Sequence, residues 1–257
     1  FILPRLTYIL RHTDVPRAPL VEFQKALVDT ARQIMKLPTI SSVHHIFGTT
    51  RQGGLGITGT LEEQDMQILS HAFRLLSSPN EDTKNLAWNT LLHDVKSRLK
   101  RQPTDFELSS FFEGGNDTLF SQTSAPLRSL WPRLRQAARR LKPVINLSFI
   151  FSISKRTVAL RFIHPECKDT PTVLLTDEAR NAVCRSLRAA LHHSHDVYLT
   201  QKLKLQGRVM PQVAKDSVST AFVRDGKYIS HHSSTWIHAA RLNVLPLNAN
   251  PRMRPYN

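Results

Sequence analysis

The sequence predicts a mainly α protein. Apolar residues recur at helical spacing through most of the 257 residues, whereas the alternation typical of a β-strand is confined to residues 147–162. Four of the nine glycines fall within Arg51–Thr60, between two amphipathic helical patterns. We therefore expect a helical bundle, followed by a mostly helical basic region that contains one β-hairpin.

The first two helices precede the glycine-rich stretch. Residues 1–13 predict a helix with Pro4 in its first turn, closed by Pro16 and Pro19. A second helix is predicted from Leu20 to Leu37, with an apolar face expected to be core and a charged face opposite it. The apolar face consists of Leu20, Phe23, Leu27, Ala31 and Ile34. The charged face is a solvated surface or a set of phosphate contacts, the candidates being Lys25, Arg32 and Lys36.

A short helical turn over residues 41–47 leads into Arg51–Thr60, for which two interpretations exist. The first is a phosphate-binding loop, because Thr60-x-x-Glu63 matches a capping box and helix N-termini attract anions. The second is a tight joint between helices. We favour the joint, since no strand pattern precedes the glycines and no Lys-Ser/Thr pair follows them.

Three helices are predicted after the joint. The first begins at Thr60 and ends at residues 77–80, and the second is capped by Ser78 or Asn80 and ends in the basic run 96–101. A short helix over residues 106–112 follows, and the polar loop after it, with two adjacent glycines, is the expected domain boundary.

The most basic helix is predicted at residues 129–142. It combines an apolar seam with five flanking cations, more than solubility requires, and we interpret them as phosphate contacts. These are Arg133, Arg135, Arg139, Arg140 and Lys142. A β-hairpin follows, with its turn at residues 154–156.

The last third predicts helices again. One runs from Asp177 to about His195 and continues to about residue 205, with candidate phosphate contacts at Lys202, Lys204 and Arg208. Further on we predict a short helix over 211–220, an extended segment with a turn over 222–229, and a final helix over 233–245.

Composition directs the functional interpretation toward polyanions. The formal net charge is +15 and the sequence pI is about 10.4, which favours nucleic acid first and anionic membrane second. No apolar run approaches the ~20 residues that cross a bilayer. Cys167 and Cys184 are the only cysteines, so the sequence contains neither a disulfide framework nor a paired-cysteine zinc site. The sequence begins at Phe1 and ends at Asn257 without a polar taper, and we expect it to be part of a longer polypeptide.

Two other chemical hypotheses compete with this interpretation. Clustered histidines at 44–45, 192–195 and 231–232 fit no common zinc spacing. Asp216, Asp225 and Lys227 resemble the divalent-ion site of restriction-type nucleases, but such a short pattern arises by chance. We therefore predict a nucleic-acid-binding protein without an active site of its own, and keep the nuclease as an alternative.

Two blocks of the sequence resemble reverse transcriptases of non-LTR retrotransposons, in the lineage that encodes a restriction-like endonuclease and inserts into ribosomal DNA. Residues 1–8, Leu37-Pro38 and Gly53-Gly-Leu-Gly-Ile57 are similar to the thumb of those enzymes. Residues 204–208, 222–228 and 236–246 are similar to their linker, including the His-x-x-Arg-x-Asn-x-Leu-Pro signature. The resemblance covers about the first 80 and the last 60 residues.

The resemblance implies a thumb at residues 1–78, a helical connector at 79–124 and a basic linker at 125–257. It implies binding of element RNA, target DNA and RNA–DNA duplex in the nucleus, as part of an RNA-directed DNA polymerase that copies element RNA at a nicked target. The polymerase carboxylates and endonuclease, with their Mg²⁺, and the zinc knuckle would lie outside this chain, which then needs no cofactor. The linker residues expected to bind nucleic acid are His238, Arg241, Asn243 and Arg252. The alternative is a stand-alone basic helical RNA- or DNA-binding protein.

Overall fold

The computed structural model describes residues 2–113, 120, 129–163, 172–226 and 229–245. These residues form eleven α-helices, two 3-10 helices and one three-stranded antiparallel sheet, so the prediction of a mainly α fold is confirmed. None of the described helices has the length and apolar character needed to cross a membrane.

The elements follow one another in this order. The helices before the glycine joint are α1 (Ile2–His12), α2 (Arg17–Ile34) and α3 (Val43–Phe47), followed by a 3-10 helix (Thr50–Gln52). Then come α4 (Thr60–Leu76), α5 (Glu81–Leu99), α6 (Asp105–Glu113) and α7 (Leu130–Ile145). The strands are β1 (Ser148–Ser152), β2 (Thr157–Ile163) and β3 (Thr172–Leu175), followed by a second 3-10 helix (Asp177–Ala179). The last helices are α8 (Val183–Lys202), α9 (Met210–Lys215), α10 (Ser217–Asp225) and α11 (His231–Arg241).

The chain divides into two compact units, and each is made of two separate stretches of sequence. Unit 1 consists of Phe1–Pro16 and Leu61–Leu191, and unit 2 consists of Arg17–Thr60 and His192–Asn257. The segmentation into thumb, connector and linker is based on the family resemblance and stays a prediction.

Unit 1 is built around an aromatic core between its helices and the inner face of the sheet. Trp88 of α5 meets the edge of Phe151 on β1, and Phe112 of α6 stacks on the same strand residue. The predicted hairpin is confirmed, with Ser152 opposite Thr157 and Phe149 opposite Leu160. β3 pairs with β2 and was not predicted, because its four residues are too short to show an alternation.

Unit 2 has two smaller hydrophobic cores. Val28 and Ala31 of α2 pack on Ile46 and Phe47 in one of them. The other contains residues of α8, α9 and α11 and residues that follow α2 and α11, namely Leu37, Leu199, Met210, Ala239, Leu242 and Val244.

The predicted core face of α2 is partly wrong. Phe23 is 37% exposed and Ile34 57% exposed, while Val28, which was not assigned to that face, is buried. Pro19 does not close the preceding helix but lies in the first turn of α2, where a missing backbone N–H removes no helical hydrogen bond.

Three other local predictions are corrected. The helix predicted from Asp177 begins with a 3-10 helix, and α8 starts only at Val183. Residues 222–225 are helical rather than extended, since α10 continues to Asp225 and ends at Gly226 in the left-handed conformation. The capping box is replaced by other bonds: the Thr60 hydroxyl donates to the Leu20 carbonyl oxygen, and Glu63 accepts from Arg188.

Candidate nucleic-acid interface

The basic helix α7 uses most of its cations inside unit 1. Arg133 donates to the Thr13 carbonyl oxygen at 2.8 Å and lies 3.1 Å from the Asp14 carboxylate. Lys142 donates to the carbonyl oxygen and the carboxylate of Glu113. The guanidinium group of Arg135 lies over the Phe111 ring, 4.9 Å from its centroid. The cluster predicted as a phosphate-binding surface therefore also holds the fold together.

Arg140 makes the most buried of these contacts. Its Nε and Nη2 donate to both oxygens of Asp65, at distances of 2.9 and 2.5 Å between the closest pairs of atoms. The Asp65 side chain is only 2% exposed, so Arg140 compensates a carboxylate that water does not reach. Arg139, in contrast, is exposed on the surface of α7.

Unit 2 carries a larger share of the positive charge than its length implies. Its two stretches contain 14 lysine and arginine residues and five aspartate and glutamate residues, so they account for +9 of the net +15. A polyanion is therefore attracted more strongly, per residue, to unit 2 than to unit 1.

A groove of about 360 Å³ in unit 2 brings three of the predicted binding residues together. Lys202, Lys204 and Asn243 line it, although the lysines and the asparagine are about 40 residues apart in sequence. The other lining residues are mainly aliphatic, and they are Ile40, Leu203, Leu205, Gln206 and Val244. No carboxylate is among the lining residues that the structure describes.

Backbone packing fixes the shape of this groove. Gly207 donates its N–H to the Leu203 carbonyl oxygen at 2.7 Å, and a Cβ on Gly207 would lie 1.9 Å from the Leu199 carbonyl oxygen. Gln206 accepts from the Ser42 N–H at 2.7 Å and donates to the Ile40 carbonyl oxygen at 2.8 Å. The loop that carries Lys204 is therefore tied to the segment before α3.

The other predicted cations of unit 2 differ in their accessibility. Lys25, Lys36 and Arg208 are exposed. Leu37, next to Lys36, belongs to the same small core as Val244 of the groove. Arg32 is partly buried and donates to the Ser41 carbonyl oxygen at 2.7 Å. Arg252 lies outside the described residues.

The two signature residues His238 and Arg241 are buried inside unit 2. Nδ1 of His238 lies 2.9 Å from Nε2 of His45, in a hydrogen bond that needs one neutral ring to accept. Arg241 donates to the Ser219 carbonyl oxygen at 2.5 Å and lies over the Phe222 ring. In this conformation both side chains connect α11 to the rest of unit 2.

Burial changes the protonation of these groups. It lowers the pKa of His238 to about 4, with the nearby charge of Arg241 acting in the same direction. Burial is also the main reason why the pKa of His45 falls well below its usual value, supported by the charges of His238 and Arg241. Both rings are therefore neutral at pH 7.

The two candidate nuclease residues that the structure describes, Asp216 and Asp225, do not form a common site. Asp216 caps α10 by accepting from the Val218 N–H, and Asp225 ends the same helix and binds Arg224. Asp225 lies nine residues after Asp216, which corresponds to about 13 Å along the helix axis and is too far for both carboxylates to hold one ion. Lys227 lies outside the described residues.

Tyr198 was not singled out from the sequence. It lies on α8, one turn before Lys202, is 46% exposed, and stacks on the ring of His44 with 4.0 Å between ring centroids. The only sequence signal was a tyrosine four residues before a lysine on a predicted helix.

Comparison with known proteins adds one match. A family model described as the T26G10.4 domain matches residues 118–244, just under half of the chain. No curated protein and no solved structure was found to match.

Proposed function

We propose that this chain is the nucleic-acid-binding thumb and linker portion of a retrotransposon RNA-directed DNA polymerase. It binds RNA and DNA mainly through their phosphates, and the polymerase and endonuclease chemistry belongs to other parts of the polyprotein. The proposal combines the sequence resemblance with the basic groove of unit 2.

The observation that carries the binding function is the groove that contains Lys202 and Lys204. Two lysines and an asparagine surround a mainly aliphatic floor in the more basic of the two units, and none of the described residues of the groove is a carboxylate. Lysine ammonium groups and an amide are suited to phosphate and sugar oxygens, and their placement on one groove supports contact with successive groups of one strand.

The packing of the two resembling blocks also supports the proposal. A Cβ on Gly53, in the thumb-like block, would lie 3.0 Å from Nη1 of Arg241, in the linker-like block. Leu37-Pro38 and Gly53–Ile57 of the thumb-like block belong to unit 2 together with the linker-like block, whereas residues 1–8 belong to unit 1.

Salt-dependent binding tests the proposed function. The whole chain is titrated against a fluorescein-labelled RNA–DNA duplex and followed by fluorescence anisotropy between about 50 and 200 mM salt. We expect the logarithm of the association constant to fall linearly with the logarithm of salt concentration, by ~0.9 per phosphate neutralised on a duplex. The double variant K202A/K204A should reduce the magnitude of that slope by about two, one for each phosphate contact that is lost, and should weaken binding at low salt.

K96A/K155A is the matched control, because it removes two exposed lysines from unit 1. The slope of K96A/K155A against salt concentration should be closer to that of the unchanged protein than the slope of K202A/K204A is. Binding that does not respond to salt, or equal loss of slope in both double variants, would refute the role of the groove.

A further inference from the structure

We propose that Tyr198 forms a stacking platform for an unpaired base, so that the groove of unit 2 binds a single strand with Lys202 and Lys204 on its phosphates. This inference depends on the proposed nucleic-acid-binding function and specifies its ligand.

The ring of Tyr198 is held in place before any ligand arrives. It is the outermost of a series of four rings that begins at the buried Phe47. Phe47 contacts His195 at 5.3 Å between centroids, and His195 contacts His44 at 5.1 Å. His44 then stacks on Tyr198 at 4.0 Å with an angle of 21° between the planes. A ring that is already ordered loses little conformational entropy when it binds.

Part of the Tyr198 ring remains available. His44 covers one face, yet the residue as a whole is 46% exposed, so a ligand can reach Tyr198 from the side that His44 does not cover. Bases stack on such surfaces without sequence preference, because every base presents a π-face. In a duplex the bases are already stacked on each other, so this ring favours an unpaired base.

The lysines lie where the backbone of the same strand would run. Residues four apart on a helix share a face, with about 5–6 Å between their Cβ atoms, so Lys202 lies next to Tyr198 on α8. Lys202 and Lys204 both line the groove, and Leu205 and Ile40 on its floor are 59% and 50% exposed. An aromatic platform beside a basic groove is the usual arrangement for binding single strands.

The test separates contacts to bases from contacts to phosphates. The whole chain is titrated, by fluorescence anisotropy, against three fluorescein-labelled ligands: a 12-nucleotide single strand, an abasic strand with the same number of phosphates, and a duplex of that sequence. The unchanged protein should bind the strand with bases at least about fivefold more tightly than the abasic strand. In Y198A and Y198L the ratio should fall below about twofold, while duplex binding stays the same.

Two further variants serve as controls. Y198F keeps the ring and should retain the preference, because stacking does not need the hydroxyl group. F106A removes an aromatic side chain that is 80% exposed in unit 1, and it should leave all three affinities unchanged. Circular dichroism melting verifies that each variant is folded, and the conclusion is drawn from whichever of Y198A and Y198L is folded; loss of the preference in a folded Y198F would also contradict stacking.

The outcomes distinguish the inference from the function on which it depends. If the chain binds with the expected salt dependence but the preference for bases persists in Y198A and Y198L, the stacking role is refuted and the proposed function stands. If Y198A and Y198L bind all three ligands more weakly by the same factor, the stacking role is also refuted. Absence of binding to every ligand overturns both.

Discussion

Arg241 at the end of α11 packs against Gly53 in the glycine joint. Nη1 of Arg241 is 3.0 Å from the position that a Cβ on Gly53 would occupy, and Gly53 has a φ of 85°. A side chain at this position would both strain the backbone and displace a buried guanidinium group. The glycine joint is therefore a fixed turn in the described structure, as the sequence led us to favour.

The first prediction concerns Gly54, which packs against another glycine. A Cβ on Gly54 would lie 2.6 Å from the carbonyl carbon and oxygen of Gly48, and backbone atoms cannot rotate away as a side chain does. G54A should lower the free energy of unfolding by about 3 kcal/mol. Amide hydrogen exchange resolved by peptide should show the loss in residues 17–60.

G226A is the matched control. Gly226 also has a positive φ, 64°, but a Cβ there would meet nothing within 4 Å. Its substitution should cost about 1 kcal/mol, from backbone conformation alone. Equal stability of G54A and the unchanged protein would contradict the interpretation of the glycine-rich segment as a tightly packed joint.

The second prediction concerns the Arg140–Asp65 ion pair in unit 1. R140A removes the guanidinium group that pairs with a buried carboxylate and should destabilise the protein by about 3 kcal/mol in urea denaturation. R139A, which removes an exposed arginine one position earlier, should change stability by less than about 0.5 kcal/mol. The double variant D65N/R140A should be more stable than R140A, since no charge remains buried. If R140A and R139A change the free energy of unfolding by the same amount, the Arg140–Asp65 ion pair does not stabilise the fold.

The third prediction is acid sensitivity of unit 2. The pKa of His238 is about 4 in the folded chain and near 6.5 when unfolded, so below pH 6.5 the unfolded state binds protons that the native state does not. Stability is therefore retained above pH 6.5 and lost as the pH falls toward 4, by about 3 kcal/mol from His238 alone. His45 acts in the same direction.

Histidine ring resonances followed by NMR across pH 3–8 provide the measurement. In R241M the pKa of His238 should rise, because one of the two causes of its depression is removed. A His238 resonance that titrates near pH 6.5 in the unchanged protein would disprove this account.

The fourth prediction concerns Asp196, whose buried carboxylate accepts from the backbone N–H and the hydroxyl group of Thr49. Burial raises its pKa to about 6, so the native state holds a proton that the unfolded state releases near pH 4. The free energy of unfolding therefore falls as the pH rises from about 4 to about 6, and the loss stays constant above that range.

D196N cannot ionise and keeps an oxygen for the Thr49 N–H. It should raise the free energy of unfolding at pH 8 by about 1–3 kcal/mol, with a smaller effect at pH 4. Urea denaturation at both pH values measures the difference. An equal loss of stability at both would mean that the hydrogen bonds of the carboxylate outweigh its burial.

Local sequence patterns determined most of the secondary structure. The alternation around residues 147–162 and the cap of α5, predicted at Ser78 or Asn80, are signals read within a few residues. The structure confirms the hairpin and places the cap at Asn80. The buried face of α2 was predicted less well, because its periodicity does not specify which neighbours cover Phe23 and Ile34. The end of α10 was missed because the Asp225-Gly226 turn also fits a helix C-terminus.

The sequence by itself established a basic, mainly α chain with one hairpin and a glycine-rich turn, because charge and periodicity are properties of composition and order. Only the tertiary structure decided which cations are accessible. It placed Arg140 on a buried carboxylate and Arg241 inside unit 2, and it brought Lys202 and Asn243 to one groove. The physical reason is that burial and pairing depend on contacts between residues far apart in the chain, which periodicity does not encode.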